Sequence, residues 1–233
     1  MTLTAAQFHQ AVEGGIVVSC QAGPGSPLRD SATLTRMAEA AVTGGAAAIR
    51  CGGVGGVEDV AAIRAAVHAP VVGLTKEGTS GVYITPSVRS ALAVGSAGAD
   101  VVAADATARD RGAGDAFADI VRAVHDAGLL VMADVATRAE GIAAFECGAD
   151  VVATTLSGYT GDGPPAGGPD LLLVAQLRAA LGPGAAILAE GRYHRPEQAR
   201  LAIEAGASAV VVGTAITDPA WITTSFVRTV HQA

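Results

Sequence analysis

Lys76 and Glu190 are the residues best suited to move a proton on and off a carbon atom. Each ends an apolar run: Val71-Val-Gly-Leu-Thr-Lys76 in one case, Ala186-Ile-Leu-Ala-Glu190 in the other, the second continuing directly into Gly191 and Arg192. A free lysine has a pKa of about 10.4 and is almost entirely protonated at neutral pH. To act as a base Lys76 must be shifted down, by burial or by cations such as Arg50 or Arg192. Glu190 would carry the complementary proton or hold a hydroxyl. A lysine that merely opens a solvated loop, and a glutamate that merely pairs with Arg192 or Arg50, would show the same spacing.

Other polar residues end apolar runs in the same way: Gln21, Arg50, Asp105, Asp134, Thr155, and Gly213 with Thr214. Asp134 and Asp105 could orient sugar hydroxyls or cap the helices that follow, although Thr137 is better placed to cap the helix after Asp134. Gly191, Arg192, Gly213 and Thr214 read as a phosphate site, because glycines let backbone amides approach an anion and Arg192 adds charge. Cys20 and Cys51 lie next to tip residues and read as small buried fillers rather than reactive thiols. The five histidines form no metal constellation, and only His194 falls near the rim.

Positioning these tips requires strands that all point one way. Gly45, Gly98, Gly148 and Gly206 each stop a helix just before a Gly-Ala step and a β-branched run, and they recur about 50 to 60 residues apart, long enough for two βα units. A second apolar strand falls between repeats, at Ile16 to Gln21, Val71 to Lys76, Leu129 to Asp134 and Ile187 to Glu190. Amphipathic stretches separate the strands, among them Thr33 to Val42, Val57 to Val67, Ala116 to Ala127, Thr137 to Cys147, Asp170 to Leu181 and Pro196 to Ala205. Continuous apolar strands alternating with helices indicate a parallel sheet covered on both faces. Eight units predict a single-domain α/β chain, a (β/α)8 TIM barrel over residues 1–233, with the site at the strands' carboxyl ends. Residues 1–14 are expected to form a short helix closing the bottom of the barrel. The competing architecture is a doubly wound open sheet, but no strand leads into a Gly-x-Gly-x-x-Gly turn with an acid about 20 residues later.

Composition narrows the partners. Half of the 233 residues are hydrophobic, only 3% are aromatic, and the formal net charge is −7, which disfavours nucleic acid and anionic membranes as partners. No apolar run approaches the roughly 20 residues of a membrane-spanning helix. Three widely spaced cysteines and an amino terminus without a basic or apolar leader predict a reduced, cytoplasmic protein.

Several stretches resemble the N-acylglucosamine-6-phosphate 2-epimerase (N-acetylmannosamine-6-phosphate 2-epimerase) family: Val17-Val-Ser-Cys-Gln-Ala22, Ala48-Ile-Arg50, Val82-Tyr-Ile-Thr-Pro86, Met132-Ala-Asp134, Thr154-Thr-Leu-Ser-Gly-Tyr-Thr160, Ala189-Glu-Gly-Arg192 and Val211-Val-Gly-Thr-Ala-Ile-Thr217. The resemblance runs from about Gly15 to Val230, with the motifs in family order. It implies a TIM barrel of the ribulose-phosphate-binding type and a cofactor-independent isomerase of amino-sugar and sialic acid breakdown, acting on a small sugar phosphate and forming a homodimer. It also implies that Lys76 and Glu190 are catalytic and that Gln21, Arg50, Asp134 and Arg192 contact substrate. The chain departs from the family pattern around Lys76, in the glycines at Gly52 to Gly56, and in the longer loop Gly161 to Gly168. A lyase that forms a Schiff base on Lys76 and a non-catalytic sugar-phosphate sensor are the alternatives from other classes.

Overall fold

Eight parallel strands close into a barrel in the order β1 to β8, each hydrogen-bonded to its neighbours in sequence and β8 to β1. The computed structural model describes residues 3–78, 80–161 and 167–231. The strands are β1 (Gly15–Cys20), β2 (Ala48–Gly53), β3 (Val71–Thr75), β4 (Val101–Asp105), β5 (Leu130–Asp134), β6 (Val151–Ala153), β7 (Ala186–Glu190) and β8 (Ala209–Val212). The helices are α1 (Ala5–Val12), α2 (Ser31–Thr43), α3 (Gly56–Ala66), α4 (Val88–Ser96), α5 (Phe117–Asp126), α6 (Arg138–Glu146), α7 (Leu171–Leu181), α8 (Pro196–Glu204), α9 (Thr214–Thr217) and α10 (Pro219–His231).

The expected (β/α)8 barrel is therefore the fold, and most expected elements lie within one or two residues of those observed. The sequence pattern does not single out α4, because its buried face is made of the small residues Ser90 and Ala91 with Val94. Gly45, Gly98, Gly148 and Gly206 all take left-handed φ values, from 96 to 106°, which is what a helix stop before a strand requires. Thr137 caps α6 through a reciprocal capping box with Glu140, so the cap does not fall to Asp134.

Side chains alternate between two cores. Val17, Ala48, Leu74, Ala103, Met132 and Leu188 point inward and fill the barrel. Cys20, Ile49, Cys51, Val102 and Val131 point outward under the helices, against Leu34, Val60 and Ile120. Both thiols next to the site therefore face away from it, and burial raises Cys20 to about 12 and Cys51 further still. Phe8 and Val12 of α1, both fully buried, join the inward cluster alongside Ala48, Val101 and Ala186 at the strands' amino ends. The two-residue period carries one step past the inward core into the site: Ala48 to Arg50, Met132 to Asp134, Leu188 to Glu190.

Candidate active site

Arg50 is the centre of the upper barrel. It is 1% exposed, yet its guanidinium meets three other strands or strand ends. Nη1 donates to Asp134 Oδ1 at 2.9 Å, to Thr155 Oγ1 at 3.2 Å and to Glu190 Oε2 at 2.5 Å, while Nη2 donates to Asp134 Oδ2 at 2.6 Å. Fork-to-fork pairing of this kind fixes both partners in one plane. Burial alone would lower the guanidinium pKa, but Asp134 and Glu190 more than offset it and hold the cation firmly charged. Thr155 Oγ1 lies 2.6 Å from Asp134 Oδ1 and 3.0 Å from Glu190 Oε2 and donates its one proton within that set. Glu190 is further tied down through its backbone, whose N–H and C=O both bond the Thr154 hydroxyl at 2.9 Å.

Lys76 stands on the opposite wall of the same cavity, whose volume is about 650 Å³. Its backbone is held from two sides: its N–H donates to Gly53 O at 2.9 Å, and it forms an antiparallel bridge with Ile84 of the returning segment. Among the described residues its ammonium group makes no hydrogen bond. Burial among the cavity walls, and then the Arg50 charge, lower Lys76 below the ordinary lysine value. The side chain still meets solvent in the open cavity, so the burial effect is completed only when a ligand fills that space. Glu190 moves the other way: burial raises its carboxyl above the usual range, Asp134 adds to this, and Arg50 works against it. The two groups are thus both pushed toward their neutral forms, the state in which one can take a proton and the other can give one.

Arg192 forms the far end of the cavity, stacked 5.3 Å from the Tyr159 ring and anchored by Nε to Gly168 O and Nη1 to Ser157 O, each at 2.6 Å. Gly191 and Arg192 both take positive φ, 108° and 61°, which turns the chain sharply off β7. Gly191, Gly213 and Thr214 line the same end. The amides of Thr214 and Ala215 begin α9 and have no intrahelical acceptor.

With this geometry in hand, the chain can be set beside known proteins. A family model described as putative N-acetylmannosamine-6-phosphate epimerase matches residues 34–232. The chain belongs to this family. A putative N-acetylmannosamine-6-phosphate 2-epimerase of Corynebacterium glutamicum (strain R) is 48% identical over 225 residues, which cover 97% of each chain. One from Caldanaerobacter subterraneus subsp. tengcongensis is 44% identical, covering 96% of this chain and 94% of its own. Among solved structures, the N-acetylmannosamine-6-phosphate 2-epimerase from Clostridium perfringens superposes with a TM-score of 0.90 at 38% identity, over 95% of this chain and 96% of that one.

In this member of the epimerase family, Gln21, Arg50, Lys76, Glu190, Arg192, Gly191, Gly213 and Thr214 all line one cavity. Asp134 does not: it is fully buried beneath Arg50 and can act on a ligand only through that guanidinium or the Thr155 hydroxyl. Asp105 is drawn off altogether, into an ion pair with Arg109 at 2.5 Å and hydrogen bonds from Thr107. His194 stacks on Trp221 of α10, ring centroids 4.4 Å apart. Both terminal nitrogens of Arg50 are engaged by carboxylates, which leaves Arg192 as the arginine available to an anion. Thr155, which joins Asp134 to Glu190, was given no role by residue type, and Tyr83, which lines the cavity under Arg109, was not marked as a site residue. The strand-tip pattern did pick out Thr155, but not its partners. Most of the long loop Gly161 to Gly168, residues 162–166, lies outside the described residues.

Proposed function

We propose that this chain inverts C2 of an open-chain 2-acylamino hexose 6-phosphate, interconverting N-acetylmannosamine 6-phosphate and N-acetylglucosamine 6-phosphate in amino-sugar and sialic acid breakdown. The observation that carries the reading is that Lys76 and Glu190 open into one sugar-sized cavity with their pKa values displaced in opposite directions. In the open-chain sugar the C1 aldehyde acidifies the C2 hydrogen. Neutral Lys76 takes that proton and becomes an ammonium, leaving an enolate. Glu190, protonated, returns a proton to the opposite face, and solvent resets the pair. Such groups contribute about 10²- to 10⁴-fold each. Arg50, held on Asp134 and Thr155, keeps Glu190 in place and lends positive charge to the developing enolate. Arg192 with Gly191, Gly213 and Thr214 takes the phosphate. Nothing among the described residues favours the Schiff-base lyase or the sensor. The test is NMR of the purified protein with N-acetylmannosamine 6-phosphate in heavy water: deuterium enters C2 as the epimer forms, and its absence overturns the reading.

The assembly we propose is a homodimer. Support comes from α10, none of whose residues is buried and which exposes Phe226 and Val230 at 71% each. Further support comes from an apolar groove between α2 and α9, lined by Val18, Met37, Ala41 and Ile216. A second copy covering these surfaces would remove them from water. Light scattering checks it: the chain runs as a dimer, and Phe226→Asp with Val230→Asp shifts it toward monomer. A cytoplasmic location fits a phosphorylated substrate and three free cysteines. No helix among the described residues is long and apolar enough to cross a membrane.

A further inference from the structure

The segment between β1 and α2 forms one side of the cavity, contributed by consecutive residues from Gln21 to Leu28. It is stiffened within itself, by Arg29 N–H to Ser26 O at 3.0 Å and Leu28 N–H to Ser26 Oγ at 3.2 Å, and by Pro24 and Pro27. Only one ion pair among the described residues joins it to the rest of the barrel. Arg29 Nη1 reaches Asp59 Oδ2 at 3.1 Å, in the first turn of α3, and Ser31 Oγ donates to Asp59 Oδ1 at 2.7 Å. Asp59 is fully buried, a position a carboxylate occupies at a cost unless it is paired.

The glycine run Gly52 to Gly56 makes room for this arrangement. A Cβ on Gly55 would lie 2.0 Å from Asp59 Oδ2 and 2.1 Å from Arg29 Nη2, so the ion pair rests directly on the glycine. A Cβ on Gly53 would lie 2.5 Å from Gln21 Oε1. That oxygen is buried without a hydrogen-bond partner, while the same amide's Nε2 is fixed on Ser19 Oγ at 3.0 Å. Gly53 closes that oxygen off from solvent and from the cavity, so Gln21 serves the wall through its packing and its hold on Ser19. On the substrate read above, the apolar group this cavity must seat is the end of the acyl chain. The surface next to Gln21 is then apolar, supplied by Ala22, Pro24, Pro27, Leu28 and, behind them, Leu34.

We propose that Asp59 and Arg29 are positioning residues that hold the Gln21–Leu28 segment as a fixed wall, and that this apolar wall seats the substrate's acyl group and limits the size of its chain. This rests on the epimerase reading and adds to it the means of reading the acyl group. Neither residue touches the reacting atoms, so disturbing them changes binding and acyl selectivity and leaves proton transfer at C2 in place.

The test uses Arg29→Gln, which removes the charge from a partly exposed side chain, and Gly55→Ala, which displaces the pair by one methyl group at a backbone conformation alanine tolerates (φ −79°). Steady-state rates are measured with N-acetyl and N-propanoyl mannosamine 6-phosphate, alongside C2 deuterium exchange at saturation. Both variants raise KM about threefold or more with kcat nearly unchanged, the pattern of lost uniform binding. Both also lower the preference for the acetyl over the propanoyl substrate, which one methylene sets at about 10- to 200-fold in a close-fitting pocket. Arg29→Lys recovers part of both. Variants that lose thermal stability or active fraction while KM and the acyl preference stay at wild-type values overturn the proposal. A wild-type chain that exchanges no deuterium at C2 overturns the epimerase reading, and this inference with it.

Discussion

Arg50 Nη1 lies 2.5 Å from Glu190 Oε2 across the barrel, joining β2 to β7 over a separation of 140 residues. Both groups are largely shielded from water, and Asp134 holds the same guanidinium through its other terminal nitrogen as well. One consequence, for the proposed reaction, is that the enolate would meet a cation already fixed in position. Another concerns Glu190, which is steered by a partner it cannot swing away from without leaving a buried charge unpaired.

Lys76 has no other duty among the described residues: no hydrogen bond or ion pair holds its ammonium. Lys76→Met therefore removes the proposed base while leaving the fold intact. Turnover and C2 deuterium exchange fall together by at least about 10²-fold. Binding of N-acetylmannosamine 6-phosphate, followed by calorimetry, stays within a few-fold of wild type. Undiminished exchange would reassign the base.

The pH dependence follows from the sign of each charge around Lys76. As a base it must be neutral, so kcat/KM rises with pH through its pKa, which burial and Arg50 place below the ordinary lysine value. Until it takes up the proton it gives to C2, the Glu190 carboxylate acts in the opposite sense, favouring the ammonium and raising that pKa. In Glu190→Gln the raising charge is gone, and the rising limb of the residual exchange rate moves to lower pH. A limb that stays put or moves up would show that another group sets it.

Asp134 is where stability and chemistry meet. Asp134→Ala leaves Arg50 buried with Glu190 and Thr155 as its remaining partners. Breaking one member of a buried ion pair costs about 3–5 kcal/mol. For a chain of this size that lowers Tm by on the order of 10 °C. Activity falls as well, because Glu190 and the guanidinium lose their common orientation. Thermal denaturation together with exchange kinetics separates the two effects.

The strands and the polarity of their tips were legible in the sequence, because a strand buried on both faces is an unbroken apolar run and its last residue enters the site. Arg50, Lys76 and Glu190 could be named for that reason. Their partners could not, since contacts such as Arg50 to Asp134 span 84 residues and depend on the register of closure. Residue type also misled for acids: Asp105 and Asp134 end neighbouring strands in matched register, yet one is drawn aside by Arg109 and the other pairs with Arg50. Arg29 and Asp59 left no trace, because neither ends a strand. The glycine run was visible as a departure from the family pattern, but the atoms it makes room for were not.

Two glycines with left-handed φ separate backbone strain from crowding. Gly14 has φ 69° and open space where a Cβ would point, whereas at Gly52, with φ 102°, a Cβ would stand 2.0 Å from Leu74 O on the paired strand. Alanine at Gly14 carries only the conformational cost, about 1–2 kcal/mol. Alanine at Gly52 adds the cost of forcing β2 away from β3, about 1–3 kcal/mol more for an overpacked site. That shift also moves Arg50 and Lys76, which lie on these two chain segments and whose spacing the Gly53 O to Lys76 N–H bond maintains. Gly52→Ala should therefore lower both Tm and kcat, while Gly14→Ala lowers Tm by less and leaves kcat unchanged. Equal losses of stability in the two variants would mean that β2 and β3 part without strain.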